Sequence, residues 1–237
     1  MNDLFLKYMS DRLIAEYEKD RVQVKKTEPG PVITISRDTG CSASVISKLL
    51  YDKIQNNFFK DKQNPGPWKV IDKEVLQMAA KTLQVSPNEL NYVFKDVEKA
   101  AISEVLESLS LKYYHSDRKI KRIIINVIHE MAERGHIIFL GRGSVAVTRN
   151  MENSLHVKLI APIEWRIKEV ANRYKMTREK AVIFINESDQ RRTKLIESFG
   201  GNFDNTIFDV IYNTASLSKE EIVDQMFDLA KLKGFFK

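Results

Sequence analysis

Short runs of β-branched and other apolar residues alternate along the chain with longer stretches whose apolar positions recur every three or four residues. The short runs, Val32 to Ser36, Trp68 to Ile71, His136 to Leu140, Leu155 to Ile160 and Ile207 to Tyr212, read as five strands. Helical spacing runs through Val45, Ile46, Leu49, Leu50, Ile54 and Phe58, and again from about Lys73 to Leu83. Residues 86 to 134 read as mostly helical, with a break near His115 to Asp117 and Gly135 as the C-terminal cap. Pro162 opens a helix to about Tyr174, and Thr177 caps the next one. Ser218 with Glu221 makes a capping box for a last helix to about Lys233. At the N-terminus, Leu4, Phe5, Tyr8, Met9, Leu13, Ile14 and Tyr17 predict an amphipathic helix over 3–20, stopped by the TEPGP turn at 27–31.

Apolar strands separated by helices imply an α/β fold with a parallel five-stranded sheet and helices on both faces, because parallel strands need long crossovers. Ligands of such sheets sit beyond the carboxyl ends of the strands. Here those ends are residues 36–44, 72, 141–143, 161–166 and 213–216.

Composition narrows the function classes. The 237 residues, 43% hydrophobic, suffice for one sizeable core. No apolar run reaches the length of a membrane span, and residues 1–21 lack the uncharged apolar stretch of a secretory signal. A single cysteine, Cys41, excludes an internal disulfide framework. Cytoplasmic location and no membrane partner are the expectations. The net charge of +6 favours an anionic ligand. Its basic residues are dispersed, and RKIKR at 118–122 falls in a helix whose isoleucines read as buried, so nucleic acid is disfavoured.

Three strand ends carry candidate chemistry. The first, ISRDTGCSAS, occupies the place of a phosphate-binding loop, where free amides and a helix N-terminus attract an anion. Against G-x-x-x-x-G-K-[ST], Arg37 stands for the first glycine, Ser42 for the second and Ala43 for the lysine, and only Ser44 fits. Gly40, Cys41, Ser42, Ala43 and Ser44 are small enough to wrap a phosphate, Ser44 is a candidate Mg2+ ligand, and Arg37 a partial replacement for the missing lysine charge. A plain strand-to-helix turn is the alternative. The second end, Gly141-Arg142-Gly143, projects a guanidinium fork over the sheet edge, as a phosphate ligand or as a solvated turn residue. The third feature is NESDQRR at 186–192, where Asp189 and Arg192 share a helix face, either as a site or as a surface ion pair. Trp165 and Arg166, after the fourth strand, read as a buried aromatic and a solvated arginine, with a cofactor box as the alternative that the location also suits.

Taken in order, ITISRDTG, IIFLGRG, LHVKLIAPIEWRIKEV, SDQRR and FDVIYNTASLSKEEIV resemble the cytidylate kinase-like family of nucleoside monophosphate kinases, over about residues 32 to 230. The resemblance implies a three-layer P-loop kinase-like fold, with a helical monophosphate-binding insertion at about 73–134 and a small lid at about 174–200; residues 1–30 fall outside it, as an N-terminal helical extension. It further implies that loop 37–44 holds ATP phosphates with Mg2+ and that Arg142 binds the transferred or acceptor phosphate. Asp189 would meet the acceptor sugar, Arg192 would reach the phosphates from the lid, and Asp72 would face the acceptor pocket. Arg37, Arg142 and Arg192 would supply the positive charge that phosphoryl transfer demands.

Two functions remain open at this point. One is ATP-dependent phosphoryl transfer to a nucleoside monophosphate or similar small phosphate acceptor. The other is a catalytically weak nucleotide-binding regulatory protein, with residues 1–30 as a surface for a protein partner or for self-association.

Overall fold

The computed structural model describes residues 30–59, 66–72, 74–84, 117–200 and 204–236. The amphipathic helix expected over 3–20, and the insertion residues from 85 to 116, lie outside the described residues.

β1 (Val32–Arg37) is flanked by β3 (Ile137–Leu140) and β4 (Ser154–Ile160), with β2 (Lys69–Ile71) outside β3 and β5 (Val210–Asn213) outside β4. Every pairing is parallel, in the order β2-β3-β1-β4-β5. β1 is central because both of its faces are apolar or small, so it tolerates cover on each side. Ile33 and Ile35 pack with Leu155, Val157 and Leu159 against α1 (Ala43–Phe58) and α7 (Lys219–Leu232). Val32 turns to the opposite layer, where Ile137 and Phe139 meet α2 (Glu74–Leu83), α3 (Asp117–Arg134) and α4 (Ser144–Thr148). Each such fully buried Ile, Leu or Phe stabilises the fold by roughly 1.5–3 kcal/mol relative to exposure.

The polar residues of β1 share the α2–α4 side. Thr34 lies opposite His156 and Ser36 opposite Lys158 in the register. Burial forces partners on these groups: Thr34 Oγ1 bonds His156 Nδ1 at 2.8 Å, and Ser154 Oγ bonds Nε2 at 3.0 Å.

α5 (Ile163–Tyr174) and α6 (Arg178–Ser198) form a separate layer at the carboxyl end of the sheet, sharing a small core of Ile167, Val170, Ala181 and Ile185. The Thr177 cap and the Ser218–Glu221 capping box form where the sequence predicts them. Two local features differ from expectation. β5 starts at Val210 rather than Ile207, because the Asp204 side chain accepts the Thr206 amide at 3.1 Å and holds Asn205–Ile207 in one 3-10 turn. The unanticipated α4 is tied to the glycine turn by Ser144 Oγ, which donates to the Gly141 carbonyl at 2.8 Å.

Candidate functional site

The carboxyl ends of β1, β2 and β3 and the inner face of α6 enclose a cavity of about 330 Å3. It is lined by Arg37, Asp72 and Arg142 from three strand ends and by Asp189 and Arg192 from one face of α6, the five residues singled out in the sequence, and also by Asp38, Lys158 and Arg191.

Arg37 ends β1 and lays its guanidinium across Gly141. A Cβ built on Gly141 would fall 1.9 Å from Arg37 Nη1, and the glycine sits at φ +71°, so a side chain here would be strained and would displace the guanidinium. Burial, and then the charge of Arg192, lower the Arg37 pKa to about 10, with Asp72 opposing and Arg142 adding to the fall. It stays a cation at neutral pH. Arg142 follows at φ +61°, a conformation costly for a non-glycine residue. That strain is offset by Asp72, whose Oδ1 accepts from Arg142 Nε and Nη2 at 2.9 Å each.

Arg192 extends from α6 to Asp189 Oδ1 at 2.9 Å and also donates to the Thr39 hydroxyl. Asp189 accepts the Thr39 amide at 2.8 Å, the Thr39 hydroxyl at 2.7 Å, and Arg166 Nη1 at 2.6 Å through its other oxygen. The pair is therefore a half-buried bridge between α6 and the β1–α1 loop, not a surface ion pair. Arg166 is likewise not solvated: its side chain is only 12% exposed and its Nε donates to the Ala161 carbonyl. The solvated-arginine expectation fails because the α5 N-terminus packs onto the loop, where a Cβ on Gly40 (φ +103°) would lie 3.2 Å from Arg166 Cβ.

The loop residues Gly40 to Ser44 lie beside the cavity rather than in its lining. Ser42 is the left-handed N-cap of α1 and makes no side-chain cap; its Oγ instead accepts Arg173 Nη2 at 2.7 Å. Ala43 is buried against the α1 core, and Ser44 is exposed in the first turn. Cys41 is buried, and desolvation raises its thiol to about 11, which leaves it inert.

Sequence reasoning missed four participants. Arg166 and Arg173 lie seven residues apart, two turns along α5, a spacing that puts both on the loop side. Lys158 interrupts the apolar β4 and is buried, with Nζ donating to Asn205 Oδ1 at 3.0 Å and 5.5 Å from the Phe208 ring centre. A lysine inside a buried strand was its signal. Asp38 follows Arg37 directly; burial, then the Asp189 charge, push its carboxyl pKa up.

A family model described as the cytidylate kinase-like family matches residues 67–216. The chain belongs to the cytidylate kinase-like family. Curated proteins give no match. Among solved structures, an uncharacterized protein from Eubacterium ventriosum shares 14% identity at a TM-score of 0.58, covering 85% of this chain and 98% of the other. A shikimate kinase from Bacteroides thetaiotaomicron shares 12% at a TM-score of 0.49, with the same coverage. The fold is thus the α/β kinase-like fold of this family, with an all-parallel sheet of five strands among the described residues. No helix among the described residues is long and apolar enough to cross a membrane.

Proposed function

We propose that this member of the cytidylate kinase-like family transfers a phosphoryl group from ATP to a small phosphate-bearing acceptor, with nucleoside monophosphates the first class to test. The observation that carries the reading is the convergence of Arg37, Arg142 and Arg192 on one cavity, beside the buried Lys158. Cations gathered at one half-buried site have a use where negative charge gathers, as it does on a phosphoryl group in flight. Arg142 is the acceptor-phosphate ligand in this reading, set in place by Asp72. Arg192 and Arg37 lie against the transferred group, and α6 supplies the movable wall that excludes water.

Loop 37–44 is the donor side. Arg173, bound to the Ser42 hydroxyl at the head of α1, brings charge to the loop that Ala43 lacks. Among the described residues no cluster of three His, Cys, Asp or Glu side chains is built to hold a metal alone. Mg2+ bound with a nucleotide needs only one or two protein oxygens, a demand that the exposed Ser44 hydroxyl fits. When bound there it would neutralise donor phosphate charge.

A second reading, nucleotide binding without turnover, is favoured by Ala43 at the lysine position and by the hold of Asp189 on the Thr39 amide. Product formation with ATP and Mg2+ across a panel of nucleoside monophosphates separates the two. Turnover that vanishes in Arg142→Ala supports the kinase. ATP binding without product from any monophosphate supports the binding protein.

A further inference from the structure

The donors around Asp189 are those of an anion site: a backbone amide at the head of a helix-opening loop, a hydroxyl, and two guanidiniums. Thr39 is 5% exposed, so these donors act in a partly desolvated setting where each is worth more than in water. At present a side-chain carboxylate fills the site. A phosphate offers three acceptor oxygens and more charge to the same donors than a carboxylate does.

We propose that Thr39, Arg166 and Arg192 form a phosphate site of which Asp189 is the internal competitor, so that α6 is held against the loop until a ligand phosphate displaces the carboxylate. This rests on the phosphate-binding reading of the loop given above. The geometry supplies the reason for a competitor. Without an anion, Arg166 and Arg192 would face each other across a half-buried gap, and Asp189 neutralises them while the site is empty of ligand. The same contact lowers apparent ligand affinity by the fraction of molecules in which it is closed. Affinity and lid position are thereby set by one equilibrium.

The probe is inorganic pyrophosphate, titrated by calorimetry into the full chain and into Asp189→Asn and Asp189→Ala. Both variants are expected to bind about tenfold more tightly than the parent, since each frees two guanidiniums. Equal or weaker binding by the variants, with the parent still binding, overturns the competitor role and leaves the phosphate site standing. Absence of binding to parent and variants alike overturns the phosphate-site reading itself. A measurement on the unaltered chain guards against misfolded variants. Hydrogen exchange over residues 186–193 should rise when pyrophosphate is added, as the Asp189 contact opens. Unchanged or slower exchange there, with pyrophosphate bound, overturns the displacement.

Discussion

Arg142 and Asp72 are joined across the ends of β3 and β2 by two 2.9 Å contacts to one carboxylate oxygen, and this pair fixes a guanidinium in a backbone conformation that disfavours it. Removing the guanidinium by Arg142→Ala should lower kcat/KM for phosphoryl transfer by about 10²–10³-fold. Stability should change by less than about 1 kcal/mol, because both side chains are partly exposed. Steady-state kinetics beside thermal denaturation test this. An Arg142→Lys enzyme that regains full activity would count against a forked contact, which lysine cannot make.

Gly141→Ala should destabilise the protein by about 1–3 kcal/mol and displace the Arg37 guanidinium, since the added methyl would lie 1.9 Å from Nη1. The check is a lowered Tm together with weakened pyrophosphate binding. A Tm drop with unaltered anion affinity would separate Arg37 from the anion site.

Arg173→Ala should raise the KM for ATP by about tenfold with a smaller effect on kcat, because the Arg173 guanidinium bonds Ser42 of the donor loop. A purely structural arginine would lower Tm and leave the KM for ATP unchanged. Kinetics with ATP varied at saturating acceptor distinguish the two outcomes.

Cys41 should resist alkylation by iodoacetamide in the folded protein at mildly alkaline pH, with its thiol raised to about 11 by burial. Reaction should appear only with unfolding. Rapid labelling of the native chain, followed by mass spectrometry, would contradict this placement.

His156 gives a pH dependence with a definite sign. Burial lowers its pKa from 6.5, with the Asp209 charge opposing, so below that value the unfolded chain takes up a proton that the folded chain refuses. Stability should fall as pH drops through about 6.5 and level off below the folded pKa. Burial lowers the His136 pKa in the same direction, and the raised Asp38 pKa acts oppositely at lower pH. The His156 share is therefore isolated by comparing Tm against pH for the parent and His156→Gln, whose profile should be flatter.

Much of this architecture was legible in the sequence. The strand Ile137–Leu140 is a continuous apolar run, and Val32–Arg37 is β-branched and buried along most of its length, as strands of a sheet covered on both faces are. The caps at Thr177 and Ser218 fixed two helix starts to the residue. Arg37, Arg142 and Arg192 could be placed at strand ends or on a helix, and topology then required Arg37 and Arg142 to converge. What could not be read was partner choice. Asp189 bonding Thr39, and Arg166 bonding Asp189, depend on how α5 and α6 dock on the loop, and periodicity carries no information about docking. The 3-10 turn before β5 was hidden for another reason: Ile207 has strand propensity, and a side-chain bond from Asp204 overrode it.

The contact between Thr39 and Asp189 spans 150 residues of chain. Loop-closure entropy makes so distant a pairing one of the later events in folding. β1 can pair with β3 and β4 before α6 docks, and at that stage the Thr39 amide has no carboxylate partner from Asp189. Asp189 and Arg192 thus reach the loop together, on one helix, and the Thr39 amide gains its carboxylate partner only when α6 docks.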